Sequence, residues 1–230
     1  MKAESSSRID RALDRWRASR LRSTSVRPAR CVAPALHLDV LIALAGTTMP
    51  LTGRQVHRLI SGEASQSGVA KVLGQLVGTG LVELTEAGSA NLYALNRAHV
   101  AADAVLALTG LRGKLFDRIR DALESWPTPP LAAAVFGSAA RGDGDEDSDI
   151  DLFLLRPPSV PSDDSTWSAA VAQLNADIRR WSGNAGSVID ATPQQVEAMI
   201  ERDEPVVAEL RRDLVPLLGV SVLDVAAVSR

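Results

Sequence analysis

The sequence predicts a mixed α+β and α/β chain built in two parts. Three observations carry that expectation. Between Leu36 and Asn96, three stretches of helical apolar spacing precede two alternating, strand-like runs. From Leu131 onward, apolar runs of strand length alternate with helical stretches. Between the two, Trp126-Pro127-Thr128-Pro129-Pro130 ends a helix and opens a new segment. The expected division is a basic arm over 1–33, a first folded unit over 34–99, connecting helices over 100–130, and a second unit over 131–230.

Composition bounds the function classes. The chain has 230 residues, room for one large or two modest domains, and its apolar fraction of 46% suits a globular core. Its one cysteine, Cys31, excludes an internal disulfide and a cysteine zinc site, and suits a reducing compartment. No apolar stretch approaches the roughly 20 residues that span a bilayer, and no apolar signal segment follows the first charges. The expectation is a soluble cytoplasmic protein without a membrane partner. Charge is uneven: residues 1–33 hold nine basic against three acidic side chains, 34–128 eight of each, and 129–230 eight basic against seventeen acidic. So acidic a C-terminal half opposes an unaided grip on long nucleic acid but tolerates Mg²⁺ and Mg-bound triphosphate.

In the arm, Ile9, Leu13 and Trp16 share a helical face ringed by Arg8, Arg11, Arg15 and Arg17. Such a helix either docks Trp16 on the body with its arginines in water, or lies on nucleic acid or a partner. An Arg- and Ser-rich start also has the look of a transit peptide, which Glu4, Asp10 and Asp14 oppose.

The first folded unit reads element by element. His37 to Ala45 is helical and stops at Gly46. Leu51 to Leu59 holds a second short helix with Thr52 as cap, and Ser65 to Val77 a third that closes at Gly78-Thr79-Gly80. Leu81-Val82-Glu83-Leu84 and Asn91 to Leu95 then alternate like hairpin strands around Glu86-Ala87-Gly88-Ser89. Three helices and a hairpin in this order resemble a winged helix-turn-helix of the kind found in small bacterial regulators. The resemblance implies DNA binding through Gln66, Ser67, Lys71 and Gln75 on the third helix, with Arg54 and Arg58 on the second. That is a thin set of contacts, which a homodimer would double. The competing reading is a protein-docking or dimerising module. His37 and His57 have no second ligand at metal spacing and read as ordinary surface or core histidines.

The joint reads as two helices, His99 to Leu108 and Leu111 to Trp126, broken at Thr109-Gly110. The second unit then opens with a buried strand, Leu131 to Phe136, ending at Gly137-Ser138. Arg141-Gly142, an acidic loop, and a second strand over Asp149 to Leu155 follow. Asp149 and Asp151 lie two apart and share a face, with Ile150 and Leu152 on the other. Paired carboxylates repel and are costly to desolvate without a cation, and hard, oxygen-seeking Mg²⁺ is the natural occupant, bringing substrate phosphates with it. The glycine permits close backbone approach, and the serine and following amides suit phosphate at a helix start. Helices are expected over Thr166 to Trp181, Pro193 to Arg202 and Glu204 to Leu214, with a strand-like Gly186 to Ala191 between the first two.

Gly137-Ser138, then after ten residues Asp149-Ile150-Asp151-Leu152, with Arg141-Gly142 and Ser148 between, together resemble the nucleotidyltransferase superfamily typified by DNA polymerase β. The likeness is especially to its minimal stand-alone members and the antibiotic nucleotidyltransferases, and covers roughly residues 111 to 215. It implies a short mixed sheet flanked by helices and transfer of a nucleoside monophosphate from NTP, with ATP as default donor. Asp149 and Asp151 would hold two Mg²⁺ (or Mn²⁺), Gly137 and Ser138 the β and γ phosphates, and Arg141 would neutralise departing pyrophosphate. The superfamily adds a third carboxylate from a later strand. Asp190 is the candidate, as metal ligand or proton acceptor; the other reading makes it part of the helix start at Thr192-Pro193. The chain after Asp190 is short for a drug-binding domain, so the expected acceptor is a protein or RNA hydroxyl. Minimal relatives often act within toxin–antitoxin pairs. A different class stays open: a DNA-binding regulator or antitoxin whose nucleotidyltransferase fold senses nucleotide or is inactive. Loss of Asp190's role would favour it.

Overall fold

The computed structural model describes residues 35–60, 64–141, 148–219 and 221–224. The basic arm, Cys31 and the acidic loop that starts at Gly142 lie outside the described residues. Two compact units divide the chain between Arg112 and Gly113.

The N-terminal unit runs α1 (Ala35–Ala45), β1 (Leu51–Thr52), α2 (Gly53–Leu59), α3 (Gln66–Gly78), β2 (Val82–Ala87), β3 (Ala90–Leu95) and α4 (Ala102–Thr109). Thr52 caps α2 as expected. Its hydroxyl accepts from the Gln55 amide while the Gln55 side chain reaches back to the Thr52 amide, so two otherwise unsatisfied groups serve each other. Ser65 caps α3 through the Gly68 amide. Val69, Val72, Leu73 and Leu76 line one side of α3 at helical spacing and meet Val40, Leu44 and Val56 in a single core. The hairpin extends further than its apolar residues indicate, because Ala87 pairs with Ala90 across Gly88-Ser89. Leu51 and Thr52 add a short third strand on the other side of β3, so the sheet order is β1-β3-β2.

The C-terminal unit begins within α5 (Leu111–Glu124) and continues through β4 (Ala132–Phe136), α6 (Gly137–Arg141), β5 (Ile150–Leu155), α7 (Ser165–Ser182), β6 (Gly186–Ala191), α8 (Pro193–Glu201), α9 (Pro205–Asp213) and β7 (Val215–Leu218). The four strands form one mixed sheet, ordered β6-β5-β4-β7, parallel only between β5 and β6. Every residue of β4 and β5 is buried. Such continuous apolar runs belong to strands covered on both faces.

The two faces have separate cores. On one, Ala133, Val135, Ile150, Leu152 and Leu154 pack under Ile119 and Leu123 of α5 and Trp167, Leu174 and Ile178 of α7. On the other, Ala134, Phe136, Phe153, Leu155 and Ile189 pack under Val196 and Met199 of α8 and Val206, Val207 and Leu210 of α9. The sequence expectation did not include β7. Its Val-Pro-Leu-Leu has no alternation, and Pro216 is tolerated because β7 is an edge strand.

Candidate active site

The Phe136↔Asp151 pairing of β4 with β5 brings the end of one strand against the start of the other. The chain then turns at once into α6, and Gly137 takes a φ of +71°, a left-handed conformation that residues with a Cβ rarely adopt. Space makes the same demand. A Cβ on Gly137 would stand 2.9 Å from Asp151 Oδ2. The glycine thus lets backbone lie directly against a buried carboxylate. Ser138, second in α6, is buried beside it, and Asp149 is half-buried just before β5. The approach to Asp149 is pinned from outside its strand, since Asn184 Nδ2 donates to the Ser148 carbonyl at 3.0 Å.

Gly137, Ser138, Asp149 and Asp151 therefore gather at one end of the sheet. Arg141 closes α6 and its Nη1 donates to Asp213 Oδ2 on α9. Asp213 also takes Arg212, whose Nε lies 3.0 Å from each carboxylate oxygen. The Arg212 guanidinium, and after it Arg141, hold the Asp213 carboxyl below its ordinary value against the opposing pull of burial.

Asp190 is not brought to this group. In the parallel pairing of β5 and β6, Asp151 stands opposite Ser187, Phe153 opposite Ile189, and Leu154 opposite Asp190. Matched residues share a face, so Asp190 belongs with Leu152 and Leu154 beneath α7, while Asp151 lies with Phe153 on the α8 and α9 side. There Asp190 Oδ2 accepts from Trp167 Nε1 at 3.1 Å and lies 3.2 Å from Arg156 Nε, with all three residues buried. The β6 residues on the Asp151 side are Ser187, Ile189 and Ala191, none of them acidic. The expectation that Asp190 completes the carboxylate set is thus corrected. Asp190 neutralises a buried arginine on the opposite face.

Asp149 and Asp151 supply hard oxygen donors on one strand, the kind Mg²⁺ takes when substrate phosphates provide its remaining ligands. The residues present fit one such ion held jointly with phosphate. Among the described residues, no group of three or more His, Cys, Asp or Glu could hold a metal by itself.

The N-terminal unit places its predicted contacts unevenly. Gln66, Ser67, Lys71 and Gln75 share the exposed side of α3, and Arg54 and Arg58 are exposed on α2. Gln75 is engaged by His37, Nε2 to Oε1 3.0 Å, and Ser67 shares a hydrogen bond with the capping Ser65. Exposed Glu83 and Glu86 make β2 acidic. Sequence reading passed over Arg156, Asn184 and Asp213, whose roles depend on partners far away in the chain. It also passed over Arg212, whose partners are its neighbours Asp213 and Glu209. It placed Trp167 only as an inward residue of its helix. Only the charged end of α9, Arg211-Arg212-Asp213, carried a signal.

Residues 116–215 match the family model of the nucleotidyltransferase domain, a little under half of the chain. That match supports nucleotidyl transfer as the activity class of the C-terminal unit. No curated protein and no solved structure matches the chain. No helix among the described residues is long and apolar enough to cross a membrane.

Three outcomes follow from this geometry. Gly137→Ala forces an unfavourable φ and pushes a methyl group onto Asp151, lowering stability by about 1–2 kcal/mol in urea denaturation. Arg156→Met leaves Asp190 buried without its cation and lowers stability by about 3–5 kcal/mol by the same measurement. Asp213 has a folded pKa below its unfolded value of 3.8. Its stabilisation is therefore complete above that unfolded value and is lost as pH falls through the lowered one. Urea titrations between pH 5 and pH 2 register this loss, and Asp213→Asn abolishes that part of the pH dependence.

Proposed function

We propose that the C-terminal unit is a magnesium-dependent nucleotidyltransferase that moves a nucleoside monophosphate from NTP to a hydroxyl group. The observation that carries this reading is the Gly137–Asp151 contact, which places a phosphate-compatible Gly-Ser turn directly beside a carboxylate pair. Asp149 and Asp151 would hold Mg²⁺ together with the triphosphate. When bound, the ion neutralises charge on the phosphate oxygens and steadies the leaving group. Gly137 and Ser138 receive the β and γ phosphates at the start of α6, and Arg141 meets the charge that develops on pyrophosphate.

In the transfer, the acceptor hydroxyl oxygen forms a bond to the α-phosphorus. The bond from that phosphorus to the bridging oxygen breaks, and pyrophosphate leaves with the electron pair. The hydroxyl proton is released to water, and Asp190, on the other face of the sheet, does not take it. ATP is the default donor by family resemblance alone. A protein or RNA hydroxyl is the acceptor class, and a toxin–antitoxin pairing is one setting for it.

A second reading is favoured by one specific finding. With Asp190 engaged by Arg156 and Trp167, the site lacks a third carboxylate from β6 and is suited to hold Mg-nucleotide without turnover. In this reading the N-terminal unit is a winged helix-turn-helix that acts as regulator or antitoxin. Its α3 face and the arginines of α2 are the DNA-facing set, and a homodimer doubles it. The acidic β2 and the engagement of Gln75 by His37 weaken that set and support protein docking as its alternative.

Incubation with α-labelled ATP, CTP, GTP and UTP plus Mg²⁺ separates the two. The acceptor pools are the protein itself, total RNA and the product of the neighbouring gene. Label transferred by the wild type and reduced on the order of a thousandfold in Asp149→Ala or Asp151→Ala supports transfer. Nucleotide bound at these carboxylates with no label moved to any pool supports sensing.

A further inference from the structure

We infer that Arg212 is a second phosphate-binding guanidinium of the nucleotide site, set beside Arg141 by Asp213. The inference rests on the nucleotide-binding reading above and adds a residue to it.

Helix α9 packs Val206, Val207 and Leu210 onto the sheet, and its C-terminal end meets α6 through Asp213. There Asp213 Oδ2 accepts from two guanidiniums at once, Arg141 Nη1 and Arg212 Nη2, the latter at 2.8 Å. Glu209, one turn earlier, lies 3.4 Å from the same Arg212 nitrogen. Two like charges are thereby held side by side around one oxygen. The carboxylate sits behind them, its side chain 5% exposed, while the Arg141 and Arg212 side chains are 35% and 58% exposed. The pair is fixed from within and opens outward.

Stability accounts for the second arginine only in part. Its side chain is 58% exposed, which screens its pair with Asp213, and it is Arg141 that links α6 to α9 through Asp213. The donor geometry of the Arg212 guanidinium accounts for the rest. Guanidinium forks are matched to phosphate oxygens, and no described residue uses Arg212 Nη1. Arg141 ends the short helix that Gly137 begins, about 6 Å further along its axis, which is within the reach of a triphosphate chain. Arg212 therefore meets the outer phosphates, and Asp213 is a positioning residue that orients both cations without touching phosphate.

The test uses the full chain with Mg²⁺ and compares calorimetric affinity for a nucleoside triphosphate with that for the monophosphate of the same nucleoside. Arg212→Ala weakens triphosphate binding about tenfold and monophosphate binding less than twofold, and Arg212→Lys recovers part of the loss. Inorganic tripolyphosphate competes with triphosphate on the wild type and does so less well on Arg212→Ala. Thermal melting confirms folding, and Arg212→Gln replaces the alanine variant if that one melts early. Triphosphate bound as tightly by Arg212→Ala and Arg212→Gln as by the wild type overturns the inference and leaves the nucleotide-binding reading standing. So does an equal loss for mono- and triphosphate. A wild-type protein that binds no triphosphate overturns both.

Discussion

One pairing sets the terms for the rest of the C-terminal unit: Phe136 against Asp151, at the end of two strands buried on both faces. Because β4 leads straight into α6, that register puts the first residue after the strand in contact with the carboxylate two residues after Asp149. Only a residue without a Cβ fits there, and only one that accepts a left-handed φ turns the chain into the helix. A carboxylate this deep in a sheet is expensive to keep charged unless something compensates it. The tight turn brings Ser138 and the amides of α6 to the same place. Fold and candidate site are thus one constraint met by one glycine, and a shift of register by one residue would exchange Asp151 for Ile150 or Leu152.

The same logic, applied to the next strand, separates structure from chemistry. Parallel pairing gives Asp190 to the face under α7, where burial of Arg156 demands a counter-charge. Trp167 adds an indole N–H to the same oxygen, and its ring meets Trp126 edge-on at 5.0 Å between centroids. This arrangement fixes the end of β5 to α7 and keeps Asp190 from the opposite face. Among the described residues, β4, α6 and α9, with Ser187 of β6, are what surround Asp149 and Asp151.

Local signals were legible from sequence, and pairings across long separations were not. Thr52 and Thr192 cap their helices through contacts three residues away, which spacing alone reveals. The strands around Gly137-Ser138 stand out because buried strands are continuous apolar runs bounded by turns. Alternation told which residues of β6 share a face. It did not tell which face of the sheet they share, because that depends on register with β5. Asp190 was misplaced for that reason. β7 went unseen because a proline-bearing edge strand has neither alternation nor a run. Asp213 is a helix-end acid in sequence, and becomes a junction only when α9 crosses α6.

Electrostatics then narrow what this surface can hold. Residues 129–230 carry a net charge of −9, so a long polyanion is repelled from most of the unit. Arg141 and Arg212 meet around Asp213 at the end of the α6 helix, with Glu209 beside Arg212, so this cluster balances its own charge. An acidic unit of this kind accepts a compact anion best when a divalent cation cancels part of its charge. It disfavours the same phosphates presented in a chain. An acceptor that approaches this site therefore does best with little phosphate backbone near the reacting hydroxyl, which weighs toward a protein side chain over the interior of an RNA.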